Sequence, residues 1–255
     1  MLLAADVGNT QTHIGAFSGA ELVEHWRFQT RAGATGDELA DRIAGLLSLR
    51  EIPLSDVEAM CVSSVVPPLG LEYEQICNRY LEGTCLIVGP GVKTGMPIKI
   101  ENPKEVGADR LVNAVAAYER FGEACVVVDF GTGINFDVVS DTGEYLGGAI
   151  APGVQISMDA LTQRASKLVK VEIDAPAAAI GRSTQQALRS GIVYGFAGQV
   201  DGIVGRIREE LGDEATAIAT GGLAAAIAPF CDGIDDVDDL LTLTGLRLVW
   251  ERNRP

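Results

Sequence analysis

Twice along this chain a short apolar run leads straight into an Asp-x-Gly loop. The first copy is Leu2-Leu3-Ala4-Ala5-Asp6-Val7-Gly8-Asn9-Thr10, and the second is Cys125-Val126-Val127-Val128-Asp129-Phe130-Gly131-Thr132. One copy reads as a turn after a strand. Two copies, each opening a half of the chain, predict a duplicated domain with two phosphate-facing loops. The two Asp positions are 123 residues apart (129 − 6), which suits one domain per repeat. The expected division is 1–118 and 119–255.

The pattern between the loops supports the duplication. Residues 1–7, 12–17 and 22–30 read as three strands, with Ser18-Gly19 as a turn. Thr35-Gly36-Asp37 opens a helix whose apolar face carries Leu39, Ile43, Leu46 and Leu47. A strand over 57–66 stops at Pro67-Pro68, a helix covers about 69–81, and a strand follows at 85–88. The second half repeats the order: strands at 124–129, 135–140 and 145–151, helices near 153–165 and 183–211, and a strand at 216–220 closed by Gly221-Gly222. Val106–Tyr118 reads as a connecting helix. The acidic stretch from Asp232 to Asp239 reads as a solvated loop before a last helix at 240–252.

Bulk properties narrow the function. The formal charge is −15, so nucleic acid and anionic membranes are poor partners, and an anionic substrate needs a local cation. Five cysteines (61, 77, 85, 125 and 231) show no CxxC or Cys/His spacing for zinc. Cys61 and Cys125 lie in apolar strands and read as buried thiols. No basic leader and no apolar run of membrane length is present, so the expected compartment is cytoplasmic.

Glycine lets a loop bring its amides close to phosphate. An Asp in such a loop would repel phosphate unless a cation sat between them, so Asp6 and Asp129 are candidate metal-site carboxylates, directly or through water. Other nucleotide motifs fail. Gly89-Pro90-Gly91-Val92-Lys93-Thr94 lacks the GKT triplet of a P-loop and runs into Gly95 and Pro97, and no GxGxxG is present. His13 and His25 are the only histidines. His25 reads as structural, while His13 follows the first loop and can reach nucleotide. Asp109 and Arg110 open the connecting helix. They are either a surface ion pair of small value or, in a cleft, a general base and an anion clamp.

Taken together, these motifs resemble type III pantothenate kinase. The matching stretches are Asp6 to Thr10, Asn102-Pro103-Lys104-Glu105-Val106-Gly107-Ala108-Asp109-Arg110, Val128 to Thr132, Gly147 to Gly153, Ser190 to Gly195 and Leu241 to Arg247. They run in order along nearly the whole chain. The resemblance implies the superfamily of sugar kinases, heat-shock ATPases and actin. That is an α/β fold of two duplicated ribonuclease-H-like domains, an actin-like ATPase fold with mixed sheets flanked by helices and a cleft between. It also implies ATP-dependent phosphorylation of pantothenate to 4′-phosphopantothenate, the first step of coenzyme A synthesis.

Residue by residue, the resemblance implies that Asp6, Val7, Gly8, Asn9, Thr10, Gln11, Thr12 and His13 form the ATP loop, with Asp6 beside Mg2+. Thr132 implies a second phosphate contact, and Asp129 a ligand for a monovalent cation, K+ or NH4+. Ile100, Gly107, Ala108, Asp109 and Arg110 imply the pantothenate site, with Asp109 as proton acceptor. Thr184 implies a pantothenate contact across a homodimer interface. Two places depart from the family pattern. Gly133-Ile134-Asn135 replaces Ala-Thr-Thr, and Ile100 stands where many members have Tyr. The alternatives are a non-catalytic nucleotide-binding regulator, or another small-molecule kinase of the superfamily.

Overall fold

The computed structural model describes residues 1–81, 83–165, 168–212 and 215–254. They form two compact units. One holds residues 1–95, 102–116 and 242–255, and the other holds 96–101 and 117–241. The units do not follow a single cut at 118/119, because the C-terminal helix belongs with the first unit and the short segment 96–101 with the second.

In the first unit, β1 (Leu2–Val7), β2 (Gln11–Ser18) and β3 (Glu21–Gln29) form an antiparallel meander. β4 (Ala59–Ser64) and β5 (Thr84–Ile87) add in parallel, giving the order β3-β2-β1-β4-β5. Between them run α1 (Gly36–Ser48) and α2 (Pro67–Tyr80). Thr35 and Glu38 close a capping box on α1, which satisfies two amides that the first turn would leave bare. Pro67 starts α2, two residues before the expected start at 69. Proline's fixed φ and missing N–H suit a helix's first position and end the strand before it.

One face of this sheet (Leu3, Ala5, Val7, Ile14, Met60, Val62) packs with Leu39, Ile43, Leu47, Leu69, Tyr73 and Ile76 of the two helices. Cys77 of α2 is disulfide-bonded to Cys85 of β5, with a Cα–Cα distance of 5.8 Å. Their spacing in the sequence carries no sign of this pairing. Cys61 and Cys125 are buried and free, as their apolar settings predict.

The second unit repeats the plan. β6 (Cys125–Phe130), β7 (Gly133–Val139) and β8 (Tyr145–Pro152) form the meander, and β9 (Thr216–Thr220) pairs in parallel with β6. The order is β10-β9-β6-β7-β8, the first sheet's order with each strand replaced by its repeat. The fifth strand, β10 (Asp236–Val237), comes from the acidic stretch. That stretch is therefore no free loop. Asp235 accepts from Ala217 N and Arg208, while Arg120 pairs with Asp236 and Asp238 at 2.5 and 3.0 Å. Arg120 and Arg208 thus offset part of the repulsion among these carboxylates where the edge strand forms.

α3 (Ala108–Phe121) crosses from the first unit into the second. α4 (Val154–Arg164), α5 (Thr184–Leu211) and the short α6 (Ala224–Ile227) cover one face of the second sheet, burying Val126, Val128, Phe130, Ile134 and Phe136. α7 (Leu241–Asn253) ends the chain and packs Leu243 over Gly15 of the first sheet. No helix among the described residues is long and apolar enough to cross a membrane.

On the second sheet's other face, the buried Tyr145 hydroxyl donates to Asp137 Oδ1 at 2.6 Å. Tyr145→Phe removes a donor from a buried acid and should cost roughly 1.5–3 kcal/mol, read as a lower urea midpoint with unchanged slope.

Candidate active site

Asp6 is the next-to-last residue of β1 and is half-buried. Gly8 then turns the chain, donating from N to Gln11 O at 3.1 Å. A Cβ on Gly8 would lie 3.0 Å from that same oxygen, so the turn is tight because position 8 has no side chain. Asn9, Thr10 and Gln11 are exposed. Val7 is buried in the core and can offer a ligand only its backbone. Thr12 is also turned inward, and its hydroxyl bonds Thr30 Oγ1 at 2.9 Å.

His13 pairs with Asp6 across β1 and β2 and is buried. Its Nε2 meets His25 Nδ1 at 3.1 Å. Burial, then the charges of Arg27 and His25, push the His13 pKa down to about 3, so it is neutral at physiological pH. Of the eight predicted ATP-loop residues, the exposed side chains are therefore those of Asn9, Thr10 and Gln11.

Asn102 caps a 3-10 turn over Pro103–Glu105, accepting from Lys104 N and donating to Glu105 Oε1 at 2.8 Å. Gly107 follows, and α3 begins at Ala108. A side chain at 107 would collide with Asp109 Oδ1. That oxygen is buried and has no hydrogen-bond partner among the described residues. Burial raises the Asp109 pKa above the ordinary carboxylate value. The Arg110 backbone N–H and the Arg110 charge offset part of the rise. A carboxyl so placed holds a proton well and is a competent general base or acid. Ile100 lies in the second unit, beside Gly147, so the two compact units share out the residues predicted for the acceptor.

In the second unit Asp129 is the next-to-last residue of β6, half-buried, paired with Asn135 on one side and Thr220 on the other. The positive φ of 94° at Gly221, and the absence of a side chain there, let the chain pass directly over Asp129 Oδ1. Thr132 is exposed. Its carbonyl and that of Gly131 lie where a Cβ on Gly153 would fall. Gly153 is the N-cap of α4, which has no side-chain cap, so the opening turn of that helix adjoins the loop. Helix N-termini of this kind attract anions. Gly153 ends a family-matching stretch and Gly221 closes the strand at 216–220, but the sequence does not show what either does, because each avoids a collision between distant segments. Thr184 is exposed on the first turn of α5, whose N-cap Ser183 accepts from Gln186 N.

No cluster of three or more His, Cys, Asp or Glu able to cage a metal occurs among the described residues. Single carboxylates at strand ends fit Mg2+, which is commonly held by one or two carboxylates together with water and substrate phosphate.

Two sheets of repeated order, each with an Asp next to the end of its first strand, give the actin-like ATPase fold. Solved structures of that fold agree. A putative Baf family transcriptional activator from Campylobacter jejuni aligns with a TM-score of 0.62 at 18% identity, covering 98% of both chains. A ROK hexokinase from Thermus thermophilus aligns at 0.55 and 15% identity, covering 97% of both. At such identities the likeness is one of fold.

The family model of type III pantothenate kinase matches residues 2–206. Curated proteins named type III pantothenate kinase are 52% identical in Anaeromyxobacter sp. (strain K), over 100% of both chains, and 51% identical in Myxococcus xanthus, over 99% of both. This chain belongs to the type III pantothenate kinase family.

Proposed function

We propose that this protein transfers the γ-phosphoryl group of ATP to the primary hydroxyl of pantothenate, giving 4′-phosphopantothenate and ADP. The observation that carries the reading is Asp109: a carboxyl with one buried, unpartnered oxygen and a raised pKa, in a chain of this family. Phosphoryl transfer asks for positioning and charge neutralisation more than for covalent help. Asp109 accepts the hydroxyl proton as the oxygen attacks, and Arg110 binds the pantothenate carboxylate, with Ile100, Gly107, Ala108 and Thr184 completing the acceptor site.

The loop from Asp6 to His13 binds ATP, Asn9, Thr10 and Gln11 with side chains and the others through backbone and support. Thr132 and the α4 N-terminus bind phosphate oxygens in the second unit. Asp6 would hold Mg2+ and Asp129 a monovalent cation, and when bound these ions neutralise phosphate charge that a protein of net charge −15 otherwise repels.

A homodimer in the cytoplasm is the proposed working form. Exposed apolar side chains in the second unit, such as Ile150 at 68% and Ile180 at 84%, support an interface there.

The test is ADP release by a coupled assay, with and without pantothenate, in potassium and in sodium buffer. Pantothenate-dependent turnover that falls in sodium is expected. Nucleotide binding without pantothenate-dependent turnover would favour the non-catalytic relative, for which Gly133-Ile134-Asn135 is the supporting departure. Turnover indifferent to the monovalent ion would remove the role given to Asp129.

A further inference from the structure

Adjacent serines end β4, and the structure treats them differently. Ser64 Oγ donates to Val66 O at 3.1 Å and accepts from Val66 N at 3.2 Å, shaping the turn into α2. Ser63 is fully buried, and its Oγ has no hydrogen-bond partner among the described residues. A buried hydroxyl of this kind is normally satisfied.

Its place in the sheet says by what. Met60 and Val62 of β4 face the α1–α2 core, so Cys61 and Ser63 face the other way. Ser63 is in register with Asp6 on β1, and Asp6 with His13 on β2. A row of polar side chains, His13–Asp6–Ser63, therefore crosses three strands on one face. On the far side of Ser63 the chain continues as Val88-Gly89, which brings no side-chain polar group. His13 is engaged with His25. The polar side chain in register beside Ser63 is Asp6.

We infer that Ser63 is a positioning residue for Asp6, its hydroxyl being the donor that lies in register beside the Asp6 carboxylate when that carboxylate holds a divalent cation. This rests on the reading of Asp6 as the Mg2+-side carboxylate. Such outer partners orient a carboxylate and tune what it holds, and their loss typically weakens metal binding 10–100-fold. Serine fits the place because it brings a donor with little bulk into a position that tolerates no exposure.

The test uses Mn2+ as the probe, its binding followed by electron paramagnetic resonance in the presence of a non-hydrolysable β,γ-imido analogue of ATP. Ser63→Ala should weaken Mn2+ binding by about 10-fold, with the ligand-free Tm unchanged or raised, since the hydroxyl has no protein partner to lose. Ser63→Thr, which keeps the hydroxyl, should restore most of the affinity. Parent-like Mn2+ binding in Ser63→Ala, alongside weakened binding in Asp6→Asn, overturns the role of Ser63 and leaves Asp6 in place. Unchanged binding in Asp6→Asn overturns the Asp6 reading itself. A lower ligand-free Tm in Ser63→Ala, with no recovery of affinity in Ser63→Thr, makes Ser63 a packing residue and also overturns the inference.

Discussion

Asp109→Asn is expected to lower kcat by about 10²–10⁴-fold, the usual contribution of a general base, while the folded protein stays as stable at neutral pH or becomes more so. Burial holds the Asp109 pKa above its ordinary value, with the Arg110 backbone N–H and charge offsetting part of the rise. The folded state therefore binds this proton more tightly than the unfolded chain does. Stability falls as pH rises from the ordinary carboxylate pKa through the raised one, and above that window the ionised group is a net cost. Asparagine has the same shape and no charge, so it removes the cost together with the base. Steady-state kinetics and thermal denaturation at pH 7 check both halves. Loss of activity together with a lower Tm would place Asp109 in the fold and not in the chemistry. In the parent enzyme, the acidic limb of the kcat/KM profile should lie above the ordinary carboxylate range.

Gly153→Ala is expected to damage ATP use strongly through a single methyl group. The backbone at 153 (φ −71°, ψ 158°) suits alanine, so conformational strain is not the reason. The new Cβ would collide with the carbonyls of Thr132 and Gly131, and backbone cannot move aside as a side-chain tip can. The loop must shift, and a displacement near 1 Å at a reacting group can cost about 10² in rate. We expect ATP KM to rise and kcat/KM for ATP to fall by roughly that factor. Gly205→Ala in α5 is the control: nothing lies within 4 Å of its Cβ, and alanine favours a helix interior. Its activity should match the parent, and its Tm should not fall. Equal ATP kinetics in Gly153→Ala would show that the loop tolerates the shift.

Much of this was legible in the amino-acid order, because it depends on local pattern. The short strand-like run at 12–17 and the apolar run at 125–128 locate strands wherever they pack. The Thr35–Glu38 box and Pro67 mark helix starts through bonds made within a few residues. The Asp-x-Gly repeat announced a duplicated fold, and the two sheets share one strand order.

The acidic stretch reads as a loop in sequence, yet forms a strand because its repulsion is offset by Arg120 and Arg208, distant in sequence, and because Asp236 and Val237 pair with β9. The Cys77–Cys85 bond needed α2 laid beside β5. His13 follows the first loop in sequence, yet its side chain is committed to His25, a partner that the β2–β3 register supplies.

By itself, then, the order of residues determined the elements, their duplication and the family's acids, since each is written in neighbours or in a motif. Tertiary structure decided which of those residues face a ligand. Thr12 turns to Thr30, Ser63 comes to lie beside Asp6, and Gly153 makes room for the loop at Thr132. These are facts of register and close approach between segments far apart in the chain. A one-residue slip in register reverses every such side chain, and no local pattern records it.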